Sequence, residues 1–271
     1  MPLVVCATPI GNLEDVTLRV LRELAEADVV LCEDTRRTRI LLERHGIDAT
    51  LVAYERHREA RRVAGILPRL EAGERVALVS DAGLPGVNDP GARLIRAAID
   101  AGVEVVVLPG ASAVETALVA SGLLGERYAF LGYAPRTPAG RAALWHELAS
   151  ASWPVVLFEA PGRVPETLAS LAAVEPGRPV AVCRELTKRF EEIARGTAAE
   201  VAARFARPPK GEVTLVVGPG AAAPADERLA AGRAAVDDLV AAGAGRRQAA
   251  AVVGRLLGVG TNALYAGTRQ P

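Results

Sequence analysis

Short apolar runs recur along the chain, and between them the spacing of apolar positions changes. Leu3 to Thr8 (LVVCAT) is a continuous, β-branched run closed by Pro9-Ile10-Gly11, which predicts a first strand and a turn. Thr17 then stands as a helix cap, and Leu18, Leu21, Leu24 and Ala25 share one face of a helix reaching about Ala27. The exchange repeats with VVLCED (29–34), a helix ending at Gly46, LVAYE (51–55) and a helix across 57–71. It continues with RVALVSDAG (75–83), a helix from Pro90 to Ala101, and EVVVLPG (104–110). Strands that are apolar throughout, joined by helices, predict a mostly parallel sheet covered on both faces.

From Ser112 the texture shifts. A helix over 112–121 leads to YAFLGY (128–133), a helix near 139–150, PVVLFEA (154–160), another helix and PVAVCREL (179–186). EEIARG (191–196) and GEVTLVVGP (211–219) flank a helix reading TAAEVAARF. Pieces this short predict antiparallel pairing within a second α/β domain that has a mixed sheet. GPGAAAPAD (218–226) reads as a linker, and helical patterns at about 227–242, 246–257 and 261–266 follow it. The expected organisation is an α/β domain over 1–111, a second over 112–220, and a small helical module over 226–271.

Composition narrows the function classes. The chain has 271 residues, 50% of them hydrophobic, which suits two compact domains with sizeable cores. Net charge is zero, so a nucleic-acid surface would have to be local. Cys6, Cys32 and Cys183 lie far apart in apolar runs without C-x-x-C spacing, and are expected to be core thiols. The N-terminus has no basic segment ahead of a long apolar one, and no uncharged 18-residue apolar stretch occurs; a cytoplasmic location without a membrane anchor is expected.

Candidate chemistry collects where the predicted strands of the first half end. TPIGNL (8–13), EDTRRT (33–38), SDAGLPGVNDPG (80–91) and LPGASA (108–113) are rich in Gly and Pro, which let backbone groups approach a ligand closely. In an open parallel sheet that edge carries the binding crevice. No G-x-G-x-x-G follows the first strand and no G-x-x-x-x-G-K-[ST] or G-x-S-x-G occurs. His45, His57 and His146 are isolated, so no metal site is expected. What remains is a ligand held mostly by backbone, with a few acids and bases around it. Glu33 and Asp34, followed by Arg36 and Arg37, read either as such acids or as a surface cluster capping the next helix. Arg184, Glu185 and Lys188 carry the same two readings. Two rarities bear on the choice: Lys188 and Lys210 are the only lysines among 32 basic residues, and two of three asparagines, Asn12 and Asn88, lie in the Gly/Pro loops.

TPIGNLEDVTLR, EDTRRTRILLERHGI, ALVSDAGLPGVNDPG, LPGASAVETAL, FLGYAP, RELTKRFE and KGEVTLVV occur in that order. Together they resemble the bacterial 16S ribosomal RNA (cytidine-2′-O)-methyltransferase family, and the likeness runs from about residue 3 to 265. The resemblance implies a tetrapyrrole-methylase-like two-domain α/β fold of the class III S-adenosylmethionine-dependent methyltransferases, with a helix-turn-helix-like C-terminal module. It implies S-adenosylmethionine in the cleft against Pro9, Gly11, Ser80, Asp81, Ala82, Gly83, Ser112 and Ala113, closed by Phe158 and Glu159. It also implies a homodimer that methylates the ribose of a cytidine in the decoding region of 16S rRNA within the small ribosomal subunit.

On that chemistry Glu33, Asp34, Glu185 and Glu212 are candidate proton acceptors, and Lys188, Lys210, Arg36 and Arg184 candidate cations for the hydroxyl or neighbouring phosphates. Arg36, Arg37, Arg58, Arg246 and Arg247 are the expected RNA contacts, and Lys188 is expected to touch substrate. Leu84 stands where the family usually has Thr, and Glu55 and Arg58 interrupt its His-x-His-Asn cluster. The rival functions are a tetrapyrrole or corrin-precursor methyltransferase on the same fold, and a nucleic-acid-binding regulator built on the C-terminal helices.

Overall fold

The computed structural model describes residues 2–220 and 225–265. The middle of the expected linker and the last residue of the third tail helix, Ala266, lie outside the described residues. Five strands, β1 (Leu3–Cys6), β2 (Val29–Cys32), β3 (Leu51–Ala53), β4 (Val76–Val79) and β5 (Val105–Leu108), form one parallel sheet in the order β3-β2-β4-β1-β5. Helices α1 (Leu18–Glu26), α2 (Thr35–Arg44), α3 (Glu59–Glu71) and α4 (Ala92–Asp100) connect them.

Leu3, Val5, Val29, Leu31, Val76 and Leu78 pack against Ile66 and Leu70 of α3 and Leu94 of α4. The intervening Val4, Cys6, Val30, Cys32, Ala77 and Val79 pack against Val20 and Leu24 of α1 and Leu41 and Leu42 of α2. Both faces of the sheet are therefore core, which is why these strands are apolar without alternation. From β1 the chain crosses to β2 on one side, and it later returns to β5 on the other. The ends of β1, β4 and β5 thus flank a topological switch point.

The strands stop short of the apolar runs that predicted them. Ala7–Thr8, Glu33–Asp34, Ser80–Gly83 and Pro109–Gly110 leave the ladder as loops. Thr8 and Gly83 exchange N–H···O bonds of 2.9 and 3.0 Å, and the Thr8 hydroxyl donates to the Ser80 carbonyl at 3.0 Å. These bonds satisfy buried backbone groups that a longer ladder would have used.

The second half adds α5 (Ala113–Ser121), β6 (Ala129–Tyr133), α6 (Pro138–Leu148), β7 (Val155–Glu159), α7 (Val164–Val174), β8 (Pro179–Arg184), β9 (Glu192–Thr197), α8 (Ala198–Arg204) and β10 (Val213–Val217). The sheet order is β6-β7-β10-β8-β9; β6 and β7 are parallel and the other pairs antiparallel, the mixed sheet expected. Val156, Ala181, Cys183 and Val216 pack on Val114, Ala117 and Leu118 of α5, together with Ile10 from the loop after β1. All three cysteines are buried and free, and burial pushes the Cys6 thiol up to about 12 and the Cys183 thiol to about 11.

Both sheets belong to one compact unit, Met1–Trp145 with Trp153–Gly218. A second unit comprises His146–Ser152 and Pro219–Pro271. In it α9 (Ala225–Ala241), α10 (Arg246–Leu257) and α11 (Thr261–Tyr265) enclose Val236, Ala249, Ala250, Val253 and Leu264. Among the described residues no helix is long and apolar enough to cross a membrane.

Candidate active site

A cavity of about 790 Å³ opens beyond the carboxyl ends of β1, β2, β4 and β5, and residues of β6, β7, β10 and the segment after β8 close it. On the first-sheet side the lining is largely main chain and small side chains: Ala7, Asp81 to Leu84, and Pro109 to Ala113. Ser80 is 2% exposed and its hydroxyl donates to the carbonyls of Ala82 and Gly83, both at 3.2 Å, so it shapes the loop without lining the cavity. Pro9 is buried behind the wall, and the lining side chain of that turn is Ile10. Gly11 lies off the cavity as well. A Cβ there would come within 2.6 Å of Lys188 Cγ and of Thr187 Oγ1. Glycine is required because the segment after β8 packs directly on this turn.

The opposite wall is aromatic. Of the chain's four Phe and four Tyr, Phe130, Phe158, Tyr128 and Tyr133 line the cavity. Phe158 meets Phe130 edge-on at 4.9 Å between centroids and Tyr133 at 5.8 Å. Glu159 is buried, with its carboxylate taken up by the Ala160 N–H (2.7 Å), the Thr167 hydroxyl (2.6 Å) and Arg163. It anchors the end of β7 and presents no vacant oxygen. Ser112 and Ala113 line the cavity at the start of α5, where the Ser112 and Tyr128 hydroxyls both donate to Glu115.

Three acids face the cavity from the first sheet: Glu33, Asp81 and Asp89. Asp81 accepts from the Asp34 N–H at 2.9 Å and lies 3.6 Å from the Arg37 guanidinium, which ties the end of β2 to the end of β4. Burial pushes the Glu33 carboxyl up, and the carboxylates of Asp89 and Asp81 add to that against Arg56 and Arg37. Burial likewise raises Asp89, with Arg56 opposing and Asp81 adding. Asp34 behaves oppositely. Its side chain caps α2, accepting from the Arg36 N–H at 2.9 Å and pairing with the Arg36 guanidinium at 2.6 Å, and these contacts hold it at about 2. The two readings of this cluster thus divide between neighbours: Glu33 turns to the cavity, while Asp34 with Arg36 forms the exposed helix cap.

The RELTK and KGE segments meet in a second cluster. Lys188 Nζ donates to Glu185 Oε1 at 2.9 Å and Glu212 Oε2 at 2.8 Å. Of the three only Glu212 lines the cavity; Lys188 stands behind it, in contact with the two carboxylates. Arg184 is engaged by Glu192 at 2.9 Å and by the Lys210 carbonyl at 3.1 Å, and Lys210 is exposed away from the lining. Among the basic residues expected to meet RNA, Arg37 lines the cavity rim and Arg36 is 88% exposed beside it. The Arg58 side chain lies outside the described residues. In the second unit Arg246 pairs with Asp237 at 2.8 Å, while Arg247 is exposed.

Asp89, Glu115, Tyr128, Phe130, Tyr133 and Arg56 escaped the sequence reading as site residues. The scarcity of aromatics could have drawn attention to FLGYAP, as the scarcity of lysine did to RELTK. Leu84, standing where a Thr was expected, lines the cavity and packs on the first core, and it brings no polar group to the wall.

The cavity volume falls within the range of small-molecule sites, and its chemistry suits a sulfonium cofactor. A cationic sulfur is favoured by carboxylates on one wall and aromatic faces on the other, and an adenosine by close main chain and apolar surface. The family described as Tetrapyrrole (Corrin/Porphyrin) Methylases matches residues 2–202, and the chain is an S-adenosylmethionine-dependent methyltransferase of that fold. Uroporphyrin-III C-methyl transferase from Thermus thermophilus, solved with S-adenyl homocysteine, superposes with a TM-score of 0.58 at 20% identity, covering 80% of this chain and 97% of that one. That likeness bears on the fold alone.

Sequence relatives are nearer. The ribosomal RNA small subunit methyltransferase I of Mesorhizobium japonicum is 45% identical over 228 residues, 83% of this chain and 77% of its own. The protein of the same name from Micromonospora olivasterospora is 44% identical over 260 residues, 95% of this chain and 83% of its own. The chain belongs to the ribosomal RNA small subunit methyltransferase I family.

Proposed function

We propose that this protein transfers the methyl group of S-adenosylmethionine to the ribose 2′-hydroxyl of a cytidine in the decoding region of 16S rRNA. The small ribosomal subunit is the partner, and the enzyme works as a cytoplasmic homodimer. The names of the sequence relatives support an rRNA substrate. The observation that supports the 2′-oxygen is the presence of Glu33, a carboxylate of raised pKa, in the cavity wall with Asp81 and the rim arginine Arg37.

A ribose hydroxyl is a weak nucleophile, so a nearby acceptor for its proton and close placement are what a protein can add. The bound cofactor supplies an electrophilic methyl on a sulfonium, and the oxygen–carbon bond forms as the sulfur–carbon bond breaks. Glu33 accepts the hydroxyl proton, and its raised pKa makes it a better base than an exposed carboxylate. Asp81, pinned by the Asp34 N–H and Arg37, holds the end of β2 in place. Arg37 and Arg36 receive the flanking phosphates, and Phe158 with Phe130 covers the cofactor. The helices α9, α10 and α11 grip RNA through Arg247 and its neighbours.

Labelled cofactor incubated with purified protein tests the substrate class. Label is expected in RNA of small subunits prepared from a strain lacking the enzyme. Transfer to a porphyrinoid and none to RNA would establish the rival methyltransferase, and binding to RNA without transfer would establish a regulator.

A further inference from the structure

We infer that Lys188 is a positioning residue that fixes Glu212 as a hydrogen-bond acceptor for a hydroxyl or amine of the ligand in the methyl-transfer cavity. This deepens the proposed function and rests on that cavity being the methyl-transfer site.

The geometry begins with two residues of unusual backbone. Gly211 has φ +88°, and a Cβ on it would lie 2.4 Å from Glu185 Cδ, so the Glu185 side chain occupies the space a larger residue would fill. Glu185 itself has φ +52°, a conformation that a non-glycine residue adopts when its surroundings compel it. Those surroundings are explicit. The Glu185 N–H donates to the Glu212 carbonyl at 3.0 Å, and the Glu212 N–H donates to Glu185 Oε1 at 2.9 Å. Lys188 then closes the loop, with one ammonium donating to both carboxylates.

The stem of the lysine is confined too. Lys188 Cγ lies 2.6 Å from where a Cβ of Gly11 would be, and the Asn12 N–H donates to Thr187 Oγ1 at 3.0 Å. The turn after β1, the segment after β8 and the start of β10 are therefore locked together at one edge of the cavity. Ile10, Leu186 and Glu212 from these same three segments line its wall.

Glu212 is left with a directed carboxylate. Oε2 is held by Lys188, while Oε1 has no hydrogen-bond partner among the described residues, and the side chain is 60% exposed at the cavity. An ammonium suits this place because it offers compact donors to two carboxylates that approach from different segments. A guanidinium is a wide planar fork, so the two cations are not interchangeable at such a point. The lone lysine of RELTKRF is thus explained through the residue it holds.

The test is a double-mutant cycle in the full-length protein, read by calorimetry with S-adenosylmethionine and, separately, by binding of unmodified small subunits. Lys188→Met should weaken one of these two affinities by roughly tenfold, the size expected when a ligand forfeits a charge-assisted hydrogen bond. In the Glu212→Gln background the same change should weaken it by less than about twofold, because the two residues act as a unit. Loss confined to calorimetry assigns the Glu212 acceptor to the cofactor, and loss confined to subunit binding assigns it to RNA. Equal losses in both backgrounds, or no loss in either, would overturn the inference. Lys188→Arg separates positioning from bare charge: retention of full affinity would also count against it. Cofactor binding is measured without RNA, so a failure of the rRNA assignment would leave this test readable.

Discussion

At the scale of single residues, the acids at the site are sorted by what surrounds them. Glu33 and Asp34 are adjacent at the end of β2, yet one is raised by burial among carboxylates and the other lowered by a helix cap. A raised carboxyl is favoured in its protonated form. Its contribution to stability is therefore present below the ordinary value of 4.5 and is lost as pH rises through the higher folded value. For catalysis the same shift places the acidic limb of the rate profile above 4.5, since Glu33 must be ionised to take a proton. Replacing Asp89 by Asn removes one of the negative charges that raise Glu33, so the limb of kcat/KM should move to lower pH; a move to higher pH would contradict the assignment.

Glu33 was legible in the sequence as an acid closing an apolar strand. Which of two adjacent acids faces the cavity was not, because alternation fails where the ladder ends. Asp89 was illegible as a site residue because its burial arises from tertiary approach of the 84–91 loop to the ends of β2 and β4.

At the scale of elements, caps and periodicity were readable, and the sequence pattern overran several strands, among them β1 and β2, whose following residues Ala7 and Glu33 serve as cavity wall. Thr17 caps α1, accepting from the Val20 N–H at 3.2 Å, as its place before an amphipathic run implied. Thr17→Ala should cost about 1 kcal/mol in denaturant unfolding while leaving cofactor affinity unchanged. The aromatic wall makes the complementary prediction. Phe158 packs edge-on with Phe130 and Tyr133, and Phe158→Ala should weaken cofactor binding by roughly tenfold in calorimetry. Unchanged affinity would remove β7 from the cofactor site. The contact of the RELTK segment with the TPIGN turn was invisible in sequence, since residues 11 and 188 are brought together only by the packing of the two halves of the first unit. Gly11 and the two lysines were the traces it left.

At the scale of the whole molecule, the parallel and mixed sheets followed from strand texture, and the order of motifs pointed to the family. Both sheets share one compact unit, because Ile10 of the first half is core to α5 and the second sheet, and the C-terminal helices form the other unit. If those helices grip RNA by charge, Arg247→Glu with Arg255→Glu in the full-length protein should weaken small-subunit binding and flatten its salt dependence, by about one in slope for each phosphate no longer neutralised. Cofactor affinity should not change. The central claim concerns the atom that receives the methyl group. The most direct measurement is to label unmodified small subunits with the protein and methyl-labelled cofactor, digest the rRNA to nucleosides and identify the labelled one. The label should be in 2′-O-methylcytidine, and in Glu33→Gln protein that signal should fall sharply; label on a base carbon or nitrogen, with none on ribose, would contradict it.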